Sequence, residues 1–418
     1  MARSLIALLL TLLLPGVVRA AEPVTLNYWI GASPSLAMSI AEQQQIALFE
    51  KAHPNIHIAT QYIVYGPLHD KLLTAVAGGD APDVSWGLIE WFGELSRMGA
   101  LRDMTRLVAQ WPDRDKIYPT VWKALTIGGK VLAMPHYLGL RALLYHADML
   151  RQAGIAAPPK TWAELLADAK IIHDKTGKFG FGIAGTGVRT PQELIAYLAE
   201  NNVSIAVPAG GGKFRNTWND HPRQLARAAQ VFAFYQQLKT DMAMSPDATG
   251  WGYQEEDTNF SLGQYAMVLD GPWMQNYAVQ SPKSMADVKI APPPAKLKAA
   301  TFFEINPFYV MKGSKHPKAQ WEFVQFLAGQ QYQKAVRPDN SPRSDVVSNT
   351  KWSRDFVGLT SIGVFFPPVA LGQITQDMQD SVGRVLLRHE APAKVAAWLG
   401  DAINRDLGRA GQLGAKQP

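Results

Sequence analysis

The sequence contains no cysteine among its 418 residues. A chain of this length buries enough apolar surface to fold without disulfide bonds, so packing alone must hold it together. The absence of cysteine also excludes thiolate metal sites and a lipid anchor on an N-terminal cysteine. The nine histidines are scattered and form no H-E-x-x-H motif, so we expect no metal enzyme and no cofactor.

Long apolar runs are absent after residue 20, where no stretch reaches the roughly 20 apolar residues that a membrane span requires. Residues 1–20 differ from the rest: Arg3 supplies a positive charge, residues 5–14 are a short apolar core, and Ala20 is small. This order is typical of a secretory signal peptide, which we expect to be cleaved after Ala20. The mature chain is then soluble and exported, with the periplasm as its expected location and secretion as the alternative.

Charge of one sign is not concentrated anywhere along the chain. Without residues 1–20 the protein has 39 basic and 35 acidic side chains, a net charge of +4, and no run of five or more like charges. Nucleic-acid binding is therefore not expected. Residues 180–185 match G-x-G-x-x-G, but their aromatic and branched side chains predict a strand, whereas a dinucleotide binds at a strand-to-helix turn.

The segments that are present alternate between strand-like and helix-like patterns. Strands are expected at residues 24–30, 55–65 and 83–86, with helices at 39–53 and 68–77 between them. This order predicts a parallel sheet covered by helices. We expect Pro135 to interrupt the ladder of the first sheet. The alternation resumes after it, with strands at 142–145 and 179–183. Helices are expected to start at 161 and to span 191–200, 221–239, 317–333, 374–387 and 392–407. Two α/β lobes are the simplest architecture.

Aromatic residues carry the main functional signal, because twelve tryptophans are many for this length. Trp86, Glu90 and Trp91 follow the third strand, and Trp273 follows an Asp-Gly-Pro turn at the end of another. Ligands of open α/β sheets bind beyond the carboxyl ends of strands, and an indole face suits the apolar C–H face of a sugar ring. The alternative is that these indoles fill the packing between the lobes.

The order and spacing of several short segments resemble the sugar-binding proteins of ABC transporters, family 1 of the extracellular solute-binding proteins, which includes the maltose-binding protein. The resemblance runs from the signal peptide to the last helix. Its specific pieces are residues 49–56, 77–84, 128–135, 144–145, 158–162, 260–273 and 319–323. In this family the strand within 260–273 ends on a Gly-Pro-Trp turn whose indole forms a wall of the sugar cleft.

The resemblance implies a periplasmic-binding-protein type II-like fold, in which a ligand cleft separates two α/β lobes and the chain crosses between them three times. The crossings are expected near residues 135–136, 303–306 and 337–338. Lobe 1 would comprise residues 22–135 and 306–336, and lobe 2 residues 136–305 and 337–418. The residues expected to bind the ligand are Ser33, Ser35, Trp86, Glu90, Trp91, His136, Tyr137, Thr186, Arg189, Asp270, Gly271, Trp273, Glu304, Asn306 and Arg343.

The implied function is capture of a carbohydrate by lobe closure and its delivery to the membrane permease of an ABC importer, by a monomer that is not an enzyme. Two alternatives are a glycoside-active enzyme, with Glu90, Asp270 and Glu304 as candidate carboxylates, and a sensor with the same fold. The sequence departs from maltose-type members at residues 32–35 and 138–140, which lack their charged ligand contacts. Maltose is therefore not implied, and Arg189 and Arg343 allow a sugar with an acidic group.

Overall fold

The computed structural model describes residues 22–348 and 350–416, so the expected signal peptide lies outside the described residues. Fourteen strands occur in this part of the chain: β1 Val24–Ile30, β2 Ile56–Tyr62, β3 Val84–Trp86, β4 Thr126–Ile127, β5 Lys130–Val131, β6 Ala133–Leu140, β7 Ala142–His146, β8 Phe179–Phe181, β9 Val207–Pro208, β10 Phe214–Arg215, β11 Tyr265–Asp270, β12 Val288–Ala291, β13 Thr301–Val310 and β14 Gly363–Val364.

Sixteen α-helices lie within the same described residues: α1 Ala37–Ala52, α2 Tyr65–Gly78, α3 Phe92–Arg97, α4 Thr105–Ala109, α5 Pro119–Ala124, α6 Ala147–Ala153, α7 Trp162–Thr176, α8 Arg189–Glu200, α9 Pro222–Thr240, α10 Tyr253–Ser261, α11 Met274–Gln280, α12 Pro317–Leu327, α13 Gln330–Val336, α14 Lys351–Val357, α15 Gly372–Leu386 and α16 Pro392–Arg409. No helix of the described chain has the length and apolar character needed to cross a membrane.

The first lobe is built on a six-stranded sheet in the order β14-β13-β3-β1-β2, with β6 also paired to β13. Strand β1 pairs in parallel with both β2 and β3, which confirms the sheet expected from the opening β-α-β-α-β pattern. Helix α2 is capped at its C-terminus by Gly79, whose φ of 76° is in the left-handed region that favours glycine. The two later strands, β6 and β13, run antiparallel to each other.

The second lobe is built on a four-stranded sheet in the order β12-β7-β11-β8. Only the β11–β8 pair is parallel. Helix α7 covers this sheet and begins with the expected capping box, in which Thr161 accepts from the Glu164 N–H at 3.2 Å and the Glu164 carboxylate accepts from the Thr161 N–H. Helices α15 and α16 pack on α8 and α9, so the C-terminal part of the chain completes this lobe.

Proline does not interrupt the ladder at Pro135, contrary to our expectation. Strand β6 runs through this residue, and Pro135 lies opposite Pro307 where the register with β13 shifts. Neither proline has an N–H to donate, so a bulge places both at one irregular point of an otherwise paired ribbon. The chain leaves the first sheet between β6 and β7, at Arg141. The lobe boundaries stay predictions, and this strand order favours a first crossing at Arg141.

A second difference concerns the helix expected over 317–333. The chain forms two helices there, α12 and α13, because Gly329 has an extended backbone (φ −72°, ψ 157°) and serves as the N-cap of α13. The strand expected over 179–183 is confirmed for residues 179–181. A Cβ on Gly180 would lie 2.1 Å from the Ala169 Cα, so this glycine allows α7 to approach the sheet.

Candidate functional site

A cavity of about 170 Å³ lies between the lobes, at the carboxyl ends of strands from both sheets. The first lobe contributes the loop after β1, the start of α2 and the end of β3. The second lobe contributes the starts of α8, α10 and α11. The lining residues are Gly31, Ala32, Ser33, Leu36, Met38, Tyr65, Trp86, Leu88, Tyr137, Arg141, Val188, Arg189, Gln192, Tyr253, Gln254, Asp257, Trp273, Asn276, Tyr277, Glu304, Arg337 and Asn340.

The first-lobe wall is centred on Trp86, which ends β3 and is 1% exposed. Its indole N–H donates to the Tyr28 hydroxyl at 2.5 Å, and Tyr28 donates to Glu42 at 2.7 Å. Tyr332 donates to the same Glu42 oxygen at 2.6 Å, while burial raises the pKa of Glu42. This buried network fixes the indole plane before any ligand arrives.

The second-lobe wall is centred on Trp273, which follows β11 on the turn Asp270-Gly271-Pro272 and is half-buried. A Cβ on Gly271 would lie 2.1 Å from the Trp273 ring, so the indole folds back across this glycine. Gly271 is not among the glycines with positive φ, so its role is close approach and not backbone conformation. The guanidinium carbons of Arg141 and Arg189 lie 5.3 and 5.2 Å from the indole centre, a cation–π distance.

Arg189 is neutralised by three buried carboxylates. Its Nη1 lies 2.8 Å from Glu256 and 3.2 Å from Asp270, and it is also paired with Asp257. Burial alone would lower the pKa of Arg189, but the carboxylates outweigh burial and raise it. Burial raises the pKa values of Glu256 and Asp257. This end of the cavity therefore carries more acids than bases.

Gln192, on α8, links the two lobes. Its amide nitrogen donates to Glu90 at 2.7 Å and to Glu304 at 3.0 Å, and its amide oxygen accepts from Arg141 Nη2 at 2.5 Å. Burial, followed by the charge of Glu304, raises the pKa of Glu90 to about 7. Arg141 Nη2 also lies 3.8 Å from Glu304. The hydrogen bonds of Gln192 thus join the first-lobe turn at Glu90 to the second lobe.

Arg337 follows α13 and is 5% exposed. Its Nε and Nη2 both donate to His136 Nε2, at 3.2 and 2.9 Å, and its Nη1 contacts Met38 Sδ at 3.0 Å. The guanidinium carbon lies 4.7 Å from the Trp86 ring centre and 4.5 Å from that of Tyr137. Burial and the charge of Arg337 lower the pKa of His136 well below its usual value, so His136 is neutral.

Six of the fifteen residues expected to bind the ligand line the cavity: Ser33, Trp86, Tyr137, Arg189, Trp273 and Glu304. Five others lie behind the lining and hold it in place. They are Glu90, which accepts from Gln192; His136, which accepts from Arg337; Asp270, which pairs with Arg189; Gly271, which lies under the Trp273 ring; and Asn306, which accepts from the Ile89 N–H at 3.3 Å.

Four expected residues do not line this cavity. Ser35 is exposed, and its hydroxyl lies 3.0 Å from that of Ser33. Trp91 stacks on His69 and lines a second cavity of about 390 Å³, which shares Val188, Tyr253 and Gln254 with the first and therefore continues the cleft outward. Thr186 is half-buried and bonded by Gln379 at 3.3 Å.

Arg343, the fourth, is a structural residue in this fold. It is 1% exposed, pairs with Asp345 and Asp113 at 2.8 Å, and donates to the Ala328 carbonyl at 3.0 Å. The structure does not place its charge in the cavity, because Asp345, two positions along the chain, and Asp113, 230 positions away, both pair with it. Among the described residues no group of three or more His, Asp or Glu could hold a metal ion.

Several lining residues were not anticipated from the sequence. Arg337 lies at the third expected crossing, and a polar residue at a crossing is a signal that could have identified it. Tyr253 and Asp257 are four residues apart on α10, so they share one face of that helix. Arg141 is the one residue between β6 and β7, at the point where the chain changes sheets.

A family model for bacterial extracellular solute-binding proteins matches residues 32–334. A putative binding protein of Brucella abortus is 22% identical over 281 residues, which are 67% of this chain and 66% of that protein. The chain thus spans just under two thirds of the length of that relative.

Two solved structures share the fold. An ABC transporter solute-binding protein of Thermotoga lettingae, bound with α-D-tagatose, has a TM-score of 0.82 and 23% identity, covering 92% of this chain and 100% of that one. The GacH receptor of Streptomyces glaucescens, solved without ligand and with acarbose, has a TM-score of 0.81 and 22% identity, covering 92% and 99%. The fold is that of the type II periplasmic binding proteins. The family model matches more than half of this chain, and the chain therefore belongs to the bacterial extracellular solute-binding protein family.

Proposed function

We propose that this protein captures a carbohydrate by lobe closure and delivers it to the membrane permease of an ABC importer. The observation that carries the proposal is the cavity between the lobes, which has a tryptophan on each side and polar groups between them. Two structural neighbours were solved with the carbohydrate α-D-tagatose and with acarbose, which supports the same ligand class.

The lining suits the two faces of a sugar ring. Trp86 and Trp273 offer flat apolar surfaces on which the C–H face of a pyranose packs. Hydroxyl groups at the ring edge both donate and accept, and the cavity supplies acceptors on Asp257 and Glu304 and donors on Arg141. Arg141 Nε and Nη1 are buried and find no hydrogen-bond partner among the described residues, so they are available to a ligand hydroxyl.

Lobe closure follows from the distribution of these contacts. A ligand that touches Trp86 in the first lobe and Trp273 in the second binds the closed form better than the open form, and it shifts the equilibrium by that difference. The Gln192–Glu90 hydrogen bond joins the lobes in the same place. The permease would then recognise the closed shape.

The arrangement does not suit hydrolysis, and the protein is not an enzyme. Glycoside hydrolysis needs two carboxyl groups flanking one bond, with one free to donate a proton. Two carboxylates line the cavity, and Asp257 is paired with Arg189 while Glu304 accepts from Gln192 and faces Arg141 at 3.8 Å. Asp270 is buried under the turn, and Glu90 lies behind Gln192.

We further propose a periplasmic monomer, from which a signal peptide ending at Ala20 has been removed. The family description as extracellular supports export. Edman sequencing of the mature protein and its mass in solution would test these two points. Permease genes beside the coding gene would support a transport role over a sensory one.

Isothermal titration calorimetry against mono-, di- and trisaccharides is the direct test of carbohydrate binding. We expect at least one sugar to bind with a Kd of roughly 0.1–10 µM, about −8 kcal/mol at the middle of that range. Native mass spectrometry of freshly purified protein would identify any sugar that co-purifies. If folded protein binds no sugar in the panel and carries none from the cell, the proposal is wrong.

A further inference from the structure

The charges around the cavity are unevenly balanced. Three arginines line it, Arg141, Arg189 and Arg337, against two carboxylates, Asp257 and Glu304. Asp257 is paired with Arg189, and Glu304 lies 3.8 Å from Arg141. No carboxylate of the described residues forms an ion pair with the third arginine.

The unpaired arginine, Arg337, is also deeply buried, with 5% of its surface exposed. A buried guanidinium without a counter-ion is unfavourable unless a partner group supplies negative charge. Its hydrogen-bond partners, His136 and Met38, are both neutral. The charge of Arg337 acts to lower the pKa of Glu42, but burial outweighs it and raises this pKa, and the Glu42 carboxyl accepts hydrogen bonds from two tyrosines.

The geometry of Arg337 leaves part of its donor set free. A guanidinium has five N–H groups. Two of them converge on His136 Nε2, and a third contacts Met38 Sδ. One N–H therefore remains on each of Nη1 and Nη2. A guanidinium with donors left on both Nη atoms can bind the two oxygens of a carboxylate.

The opposite end of the cavity offers less to such a group. Arg189 Nη1 is already paired with Glu256, Asp257 and Asp270, so this guanidinium has its partners without a ligand. An acidic ligand would therefore place its charge at Arg337 and its hydroxyl groups at the Arg189 end.

We propose that the natural ligand is a sugar acid, whose carboxylate binds the Arg337 guanidinium where it lies against the Trp86 and Tyr137 rings. This inference rests on the proposed carbohydrate-binding function and specifies its ligand class. Because the site is buried, a charge-assisted pair of hydrogen bonds should favour the acid over its neutral counterpart by about 10- to 100-fold.

Calorimetry with matched sugars tests this directly. The pairs differ only at C6, as carboxylate or hydroxymethyl: glucuronate with glucose, galacturonate with galactose, and mannuronate with mannose, each also as a dimer. The proteins are wild type, Arg337→Gln, Arg337→Lys and Arg223→Gln. Arg223 is exposed on α9, so this control removes one positive charge far from the cavity.

We expect the acid of at least one pair to bind about 10- to 100-fold more tightly than its neutral partner. Arg337→Gln should remove that preference, Arg337→Lys should retain part of it because the charge remains, and Arg223→Gln should leave it unchanged. The wild-type comparison needs no variant, so misfolding of Arg337→Gln would not prevent the test.

The remaining outcomes separate the two hypotheses. If neutral sugars bind as tightly as their acids or more tightly, the sugar-acid inference is overturned and the proposed carbohydrate function stands. If the acid preference survives in folded Arg337→Gln, the carboxylate binds elsewhere, and the assignment to Arg337 is overturned. If no sugar of either kind binds, the inference and the proposed function both fail.

Discussion

Replacing Trp273 by alanine distinguishes an indole that binds ligand from one that only packs the lobes together. The indole is half-buried and contacts two guanidinium groups at 5.2 and 5.3 Å. Loss of an aromatic stacking face should weaken sugar binding by roughly 1–3 kcal/mol, about 5- to 150-fold in Kd. The stability loss should be smaller than for a core tryptophan, about 1–2 kcal/mol, because the indole is partly solvated and its cation–π contacts are each modest.

Trp218 is the matched control, since it lies in the same lobe, is 0% exposed and does not line the cavity. Trp218→Ala should cost about 3–5 kcal/mol of stability and leave the affinity of the folded protein unchanged. In melting temperature these losses correspond to roughly 2–8 °C for Trp273→Ala and 6–20 °C for Trp218→Ala.

The two variants should be compared by calorimetry with the best sugar ligand and by thermal unfolding without it. A large fall in the melting temperature of Trp273→Ala with unchanged affinity would refute the reasoning. Trp273 would then be a packing residue, and the assignment of the cavity wall would be wrong with it.

Three further predictions concern residues around the cavity. Burial raises the pKa of Glu90 from 4.5 to about 7, so its contribution to stability is present below pH 4.5 and is lost as the pH rises through 7. The stability of Glu90→Gln relative to wild type should therefore increase by up to about 3 kcal/mol between pH 4.5 and pH 8 in melting experiments. A stability difference between the two proteins that does not change with pH would contradict this. Arg343→Ala should lower the free energy of unfolding in urea by about 1–3 kcal/mol, because the buried guanidinium loses its pairs with the partly exposed Asp345 and Asp113 and its bond to the Ala328 carbonyl. Sugar affinity should stay the same, and reduced affinity of the folded variant would argue for a ligand role. Gly271→Ala should weaken sugar binding by about tenfold, because the added Cβ would lie 2.1 Å from the Trp273 ring and displace it. If this variant binds sugar with the affinity of the wild type, the position of the indole is unimportant for binding.

Local features of the fold could be predicted from the sequence because their causes are local. The alternation of segments from Val24 to Trp86 gave the parallel strands β1, β2 and β3, and the Thr161–Glu164 spacing gave the start of α7. The Gly-Pro-Trp turn was also visible. The reason for its glycine was only partly predicted, because Gly271 allows the close approach of the indole and does not have an unusual backbone angle.

Features that depend on long-range pairing could not be predicted. Pro135 alone suggests a broken ladder, and only the position of Pro307 opposite it shows that both share one bulge. Arg343 was expected in the cleft because its charge is visible in the sequence, whereas its partner Asp113 is 230 positions away. Arg337 was predicted only to lie at a crossing between the lobes, because no feature of the neighbouring sequence shows that its charge lacks a counter-ion.

The place of each ligand-facing group in the two lobes explains how binding can drive closure. Tyr137 lies on β6 and Glu304 on β13, and Arg141 connects β6 to the second sheet. Tyr137 and Glu304 lie on this β6–β13 pair, close to the point where the chain passes to the second sheet, so we expect them to contact a ligand similarly in the open and closed forms. Trp86 and Trp273 belong to different lobes, so a sugar contacts both only when the lobes approach. Groups that belong to one lobe only, such as Trp86 and Trp273, therefore supply free energy that favours closure, whereas Tyr137, Arg141 and Glu304 help to select which sugar occupies the cavity.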